Sequence, residues 1–388
     1  MKLVGRYIFS TSLGAFLALV SALTSVIWIT QALRQIDLLT IKGQTFWLFL
    51  TLTGLIIPSL ITIIAPFALF GAIIYVLNKL NGDSELIVMS AAGISPARLL
   101  VPFTILGVLA TLLVASMSVY AMPWSFRLIQ DIGTKVRADF LTRVVREGQF
   151  STLDQGFVFH YRERGADGSL LGIFMQDRRD PQRITTYLAE AGQTLEANGQ
   201  NYLVLEKGSV QRQQGASKDA AIVVFQRYAI DLAQFGASND AASYKPRERS
   251  TEELMNLDLV NVSNLALGKD EYLRRFPGRF RAELHERFAG PLYAIAAALI
   301  AFAALGQART TRQGRGLAIA AAILLFSVLR VAGISAATLF VTNPSAIYLV
   351  YGLPIAGSLA SLGTIFWSSL AKYAPKTALP GPAFKAAA

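Results

Sequence analysis

The amino-acid sequence predicts an α-helical polytopic membrane protein. Six transmembrane helices are arranged three plus three, with an all-β, jelly-roll-like domain inserted between the third and the fourth. Three observations lead there. Of the 388 residues, 53% are hydrophobic and only 16% are charged, whereas a soluble domain is nearer a quarter charged. Six apolar runs are long enough for a bilayer whose hydrocarbon core of about 30 Å takes about 20 helical residues. Between the third and fourth runs the hydrophobic period changes from helical to two-residue.

The first run, residues 7–33, carries no charge. It exceeds the roughly 7–15 apolar residues of a cleaved signal peptide and is expected to remain as a span. The second, 46–80, is longer than one crossing requires and is interrupted by Pro58 and Pro66. Its first part, to about Gly54, is expected to lie interfacial or tilted, with the span itself over about 55–78. The third run is 99–122, and the last three are 288–305, 317–340 and 346–370. Pro102 and Pro291 fall near helix starts and say less about kinks than Pro58, Pro66 and Pro354. The expected divisions are 1–122, containing a short helix at about 83–93, then an inserted domain 123–287 with its β part at about 148–235, then 288–371, and a tail 372–388.

Charge placement orients these spans. The chain carries 36 basic and 25 acidic residues, a net of +11, at a pI near 9.8. The 123–287 segment is almost neutral, with 23 basic and 22 acidic residues, so nearly all the excess lies at the ends of apolar runs. That placement argues against a nucleic-acid partner. With the N-terminus inside, the short loops on its side hold Lys2, Arg6, Lys79, Arg98, Arg309, Arg312, Arg315, Lys372, Lys376 and Lys385, against Arg34 and Lys42 opposite. The positive-inside rule then places both termini in the cytoplasm and the inserted domain across the membrane. A cysteine-free extracytoplasmic domain suits a bacterial periplasm.

Within the inserted domain, Phe157, Phe159 and Tyr161 alternate with Val158, His160 and Arg162. Further strands are expected at 171–175, 184–188, 202–205 and 222–230. Turn signals separate them at Ala166-Asp167-Gly168, Asp180-Pro181 and the hairpin dipeptide Asn198-Gly199. Many short strands so spaced suggest a sandwich or jelly roll. Residues 124–146 extend span three outward, 236–250 form a polar linker, Ser250-Thr251-Glu252-Glu253 reads as a capping box, and 276–287 is a basic amphipathic segment feeding span four.

No nucleotide-binding Gly-Lys-Ser/Thr occurs, nor G-x-S-x-G, nor H-E-x-x-H. With no cysteine and two histidines, neither a metal centre nor an enzyme constellation is expected, and no cofactor is expected on this chain. Between spans two and three, residues 81–96 read NGDSELIVMSAAGISP. Asp83 or Ser84 caps a short helix that places Glu85, Val88, Met89 and Ala92 on one face. Such a helix is either a plain surface loop or an anchor for a cytoplasmic partner. Arg330 is the single charge inside a span, some 15–20 Å from either edge at 1.5 Å per residue. A charge at that depth is costly and marks a functional position by default. It is either satisfied within the protein or set toward an anionic ligand. Arg34 and Lys42, at the outer end of span one, read as interfacial anchors. Phe157, Phe159, Tyr161, Ile173 and Met175, with Leu203 and Leu205, form the β-domain core or line a groove in it.

The segments SELIVMSAAGIS (84–95), MPWS (122–125), EGQF (147–150), RAELHERF (281–288) and RQGR (312–315), in this order and layout, resemble the LptF/LptG family of lipopolysaccharide export permeases, with RQGR nearer the LptF branch. The resemblance implies a bacterial inner-membrane ABC-type exporter. Its expected partners are an LptG-like second permease, a dimer of an LptB-like ATPase carrying ATP and magnesium, an LptC-like periplasmic protein and lipopolysaccharide itself. It implies that Ser84, Glu85, Val88, Met89 and Gly93 meet the ATPase. It further implies that spans one and five form a lateral gate, that Arg34, Lys42 and Arg330 contact lipid, and that a periplasmic jelly roll hands the lipid onward. Two rival readings are a secondary transporter, which needs ion-coupling groups in its spans, and a non-transporting membrane-anchored scaffold or receptor. Co-purification with an ATPase separates them.

Overall fold

The computed structural model describes residues 2–34, 46–143, 147–154, 156–179, 183–197, 200–214, 220–231, 244–257, 273, 276–307 and 316–373. Two compact units emerge. One comprises Met1–Gln31, Ile56–Met122 and Arg281–Ala388, and the other Ala32–Leu55 and Pro123–Phe280.

Among the described residues, six helices are long and apolar enough to cross a membrane: Leu3–Arg34, Phe46–Gly82, Pro96–Ile132, Pro277–Leu305, Gly316–Thr342 and Pro344–Trp367. Within the first, α1 runs Lys2–Arg34. The second breaks where the sequence says it should. Helix α2 (Phe46–Gly54) ends at Gly54 and α3 (Ile57–Gly82) restarts with Pro58 in its first turn, where the missing N–H costs nothing. Helix α4 is the short Glu85–Ala91. Helix α5 (Pro96–Ser116) passes through a π-helical turn, Met117–Ala121, into α6 (Met122–Arg143). Pro123 explains that turn: its ring would strike the carbonyl four residues back, and the wider π turn relieves the clash.

Helix α8 (Pro277–Leu305) joins the basic 277–287 segment to span four without a break, so Pro291 lies mid-helix rather than near its start. Ala294, Ala296, Ala297, Ala298 and Ala301 are all buried. Small residues let neighbouring helices approach closely where lipid removes the hydrophobic drive for association, so α8 sits at the centre of its unit. Against it pack Phe103 on Phe302 (5.7 Å between ring centroids) and a cluster drawn from α1, α3, α5, α9 (Gly316–Thr342) and α10 (Ile347–Tyr373). Phe70 of α3 stacks on Phe326 of α9 at 4.9 Å.

The second unit holds one six-stranded antiparallel sheet, β1 (Ser151–Asp154), β2 (Phe157–Arg164), β3 (Leu170–Asp177), β4 (Arg183–Ala197), β5 (Gln200–Gln214) and β6 (Ala220–Asp231), paired in chain order. The predicted turn at Asp167-Gly168 is present. Asp167 accepts from the Ser169 amide (3.0 Å) and hydroxyl (2.6 Å), and Gly168 takes φ +83°. The Asp180-Pro181 and Asn198-Gly199 turns lie outside the described residues.

The strands β4 and β5 are each 15 residues long, against expected pieces of 184–188 and 202–205. The reason is a shared change of face. Ile173, Ala189, Gly208 and Phe225 form one inward row. The next inward row is Leu170, Gly192, Leu205 and Tyr228, three residues along each strand instead of two, while the pairing register stays the same on both sides. Left-handed backbone at Gly172 (φ +65°) and Lys207 (φ +49°) accommodates the slip. Period-two reading loses phase there and stops.

Ser250 caps α7 (Thr251–Asn256) by accepting from the Glu253 amide. The Glu253 carboxylate turns instead to Arg127 of α6, whose guanidinium reaches both oxygens at 2.9 and 2.7 Å and covers the Tyr244 ring at 4.7 Å. The Tyr244 hydroxyl donates to Asp131 at 3.1 Å. Burial, then this bond to a carboxylate, raises the Tyr244 phenol above its ordinary value.

Candidate functional site

The short helix α4 stands between spans two and three. Ser84, its N-cap, adopts a left-handed backbone at φ +60° and makes no side-chain cap, a strained conformation for a non-glycine residue. At the other end Gly93 takes φ +78°, while the Ile94 amide bonds Met89 O and the Gly93 amide bonds Ser90 O, each at 3.1 Å. These are the two bonds of a Schellman ending, which requires the left-handed residue that Gly93 supplies. Leu86 is buried and Met89 packs partly against the unit's core, whereas Ile87 and Val88 are exposed and Glu85 is half-buried. The expected single face of Glu85, Val88, Met89 and Ala92 is therefore divided. Met89 belongs to the anchoring side, because a seven-residue helix lying on a bundle must spend one side on attachment. Next to it, Asn81 is buried and donates Nδ2–H to Leu77 O (3.0 Å) and to Leu305 O (2.9 Å), tying the end of α3 to the end of α8.

Arg330 lies in mid-α9, as the sequence predicts. Its guanidinium carbon sits 4.6 Å from the centroid of the Tyr293 ring on α8, within range for a cation–π contact. Its buried Nε has no hydrogen-bond partner among the described residues. Tyr293 itself is buried, and its hydroxyl occupies the space where a Cβ on Gly333 would stand. Neither Tyr293 nor Gly333 could be singled out from sequence, since the pair is joined only by helix packing.

At the other end of α8 is a polar layer that sequence reasoning saw only as a motif. Arg287, the largest fully buried side chain, meets Glu283 one turn earlier at 3.2 Å. His285 Nδ1 lies 3.1 Å from the Tyr351 hydroxyl on α10, and Arg281 donates to Phe340 O on α9 at 3.3 Å. The signal available was the i, i+4 spacing of opposite charges beside an apolar run.

In the sheet, Phe157, Phe159, Tyr161, Ile173 and Met175 are each at most 3% exposed and form one cluster with Leu203 and Leu205. Arg34 ends α1 with its side chain exposed, and Lys42 lies outside the described residues, as does the 312–315 motif.

A family model described as lipopolysaccharide export system permease LptF/LptG matches residues 6–368. An uncharacterized protein of Rickettsia prowazekii (strain Madrid E) is 22% identical over 293 residues, covering 76% of this chain and 79% of the relative. The lipopolysaccharide export system permease protein LptF of Escherichia coli (strain K12) is 25% identical over 226 residues. That match covers 58% of this chain and 62% of the E. coli protein, short of two thirds of its length.

Proposed function

The chain belongs to the LptF/LptG family of lipopolysaccharide export permeases, and from that premise we propose that it is an LptF-like subunit of an ABC-type exporter. It takes lipopolysaccharide from the inner membrane and passes it along the β domain, using ATP hydrolysed on another chain. The observation that carries this reading is α4. The sequence holds no nucleotide loop of its own. The short helix presents Glu85, Ile87 and Val88 while Leu86 and Met89 fasten it to the bundle core. That suits a lever that receives a push from a cytoplasmic ATPase dimer. An LptG-like chain and an LptC-like chain complete the assembly, with both termini of this chain cytoplasmic and the β domain periplasmic. For acyl chains to travel through the β domain, the inner-face cluster of Phe157, Phe159, Tyr161, Ile173 and Met175, each at most 3% exposed, has to part before them. Arg330 is a contact for the anionic head.

The test is Glu85→Arg in the assembled complex. ATP hydrolysis should persist within about twofold while lipopolysaccharide release from proteoliposomes falls by at least tenfold. Normal release from that variant would end the coupling assignment.

A further inference from the structure

Arg330 is a charge in the middle of a span with one face covered and its buried Nε unpaired. The covering ring comes from Tyr293, 4.6 Å away. Glu286 of α8 lies near enough to attract it electrostatically, and no ion pair within 4.0 Å joins the two among the described residues. A guanidinium carries five N–H donors in one plane. A ring held against the guanidinium restricts the directions in which the fork can point. Tyr293 can stand there only because residue 333 has no side chain: a Cβ at that point would overlap the Tyr293 hydroxyl and ring. Ring, notch and cation are thus one arrangement built from two helices, α8 and α9, of the same unit.

We propose that Tyr293 and Gly333 are positioning residues that hold the Arg330 guanidinium with its N–H edge presented to a phosphate of the exported glycolipid. The proposal rests on the reading of Arg330 as a lipid-head contact. It adds that the orientation is built in before the lipid arrives. Preorganisation of this kind lowers the ordering cost of binding. A fork held at one angle accepts two phosphate oxygens at once, whereas a free arginine side chain in the same span would sample several rotamers. Tyr293 acts through its ring and not its hydroxyl, so phenylalanine should serve as well.

The experiment uses the full chain purified with its membrane partners in nanodiscs. It measures retention of lipid A carrying its phosphates against lipid A with the phosphates removed. Wild type should favour the phosphorylated form, and Arg330→Gln should abolish the preference. Tyr293→Leu and Gly333→Ala should each reduce it about three- to tenfold, the scale of a desolvated cation–π contact, while Tyr293→Phe keeps it. Adding Tyr293→Leu to Arg330→Gln should cost nothing further. A purely structural defect would lower retention of both lipids together and leave the ratio unchanged, which would overturn the proposal. If Arg330→Gln alone removes the preference while Tyr293→Leu and Gly333→Ala keep it, the lipid-head reading stands and the positioning role falls. If Arg330→Gln keeps the preference, both fall. Excess phosphatidylglycerol serves as the third arm: competition equal to that of phosphorylated lipid A would show a general phosphate site and overturn the assignment to the exported lipid. Should Tyr293→Leu fail to assemble, Gly333→Ala and Tyr293→Phe decide the same question.

Discussion

Asp177 at the end of β3 shows how one carboxylate reports on the sheet. Burial alone would raise its pKa. Arg179 outweighs that through bonds from its Nε (3.0 Å), a terminal nitrogen (2.8 Å) and its backbone amide (3.1 Å), together with its charge, and the carboxyl is held below its ordinary value. The same guanidinium lies 5.8 Å from the Phe157 ring, so the pair pins the start of β2 to the end of β3. A folded-state pKa below the unfolded one stabilises the fold above the unfolded value, near 3.9, and that contribution is lost as pH falls through the folded value. Asp177→Asn should therefore cost about 1–2 kcal/mol at pH 7 and less at the acid end. Denaturation followed by circular dichroism at pH 7 and near pH 3 checks it, and an equal deficit at both pH values would exclude the linkage. Arg330 carries the complementary lesson. A lone charge in an apolar run is legible in any sequence, but its partner Tyr293 is 37 positions away on another helix, and nothing in spacing connects them.

Among the elements, the helices were readable because their signals are local. Gly54 and Pro58 mark the break between α2 and α3, Pro58 entering the first turn of the new helix. Ser250 announces α7. In β4 and β5 the expected pieces 184–188 and 202–205 stop short of the slip, because alternation is a phase measurement, whereas the expected 222–230 runs across it and covers most of β6. The division of α4 into an anchoring and a free side also escaped, since which side is buried depends on what the bundle offers it. Gly208 is the sharpest test of the slip. A side chain there would fall on the Leu188 carbonyl oxygen and within 2.6 Å of the Phe225 ring, and a paired backbone cannot yield. Gly208→Val should destabilise the β domain by roughly 3 kcal/mol. Its neighbour Ser209, on the opposite face, should accept valine within about 0.5 kcal/mol. Limited proteolysis of the two variants compares them directly, and equal protease resistance would mean the slip is not where the face changes.

At the scale of the whole molecule, the chain's lack of cysteine makes its orientation measurable without background. Ser90 on α4 and Gln226 on β6 are both exposed. In intact cells and inverted vesicles, Ser90→Cys should react with an impermeant maleimide only from the cytoplasmic side and Gln226→Cys only from the periplasmic side. Labelling of both from one side, or of each from the other's side, would overturn the proposed topology. The slip has a wider consequence for the domain. It behaves as a line dislocation does in a crystal: the lattice is regular on either side, the offset is shared by every row it crosses, and it leaves through the sheet edge. Inward rows that elsewhere stand about 7 Å apart stand about 10 Å apart across it, at 3.3 Å per residue. The rows bordering that gap include Ala189, Gly192 and Gly208, and the Ile173, Leu205 and Phe225 side chains close over the two glycines, so the wider spacing is filled from its borders and the inner wall stays continuous across the offset.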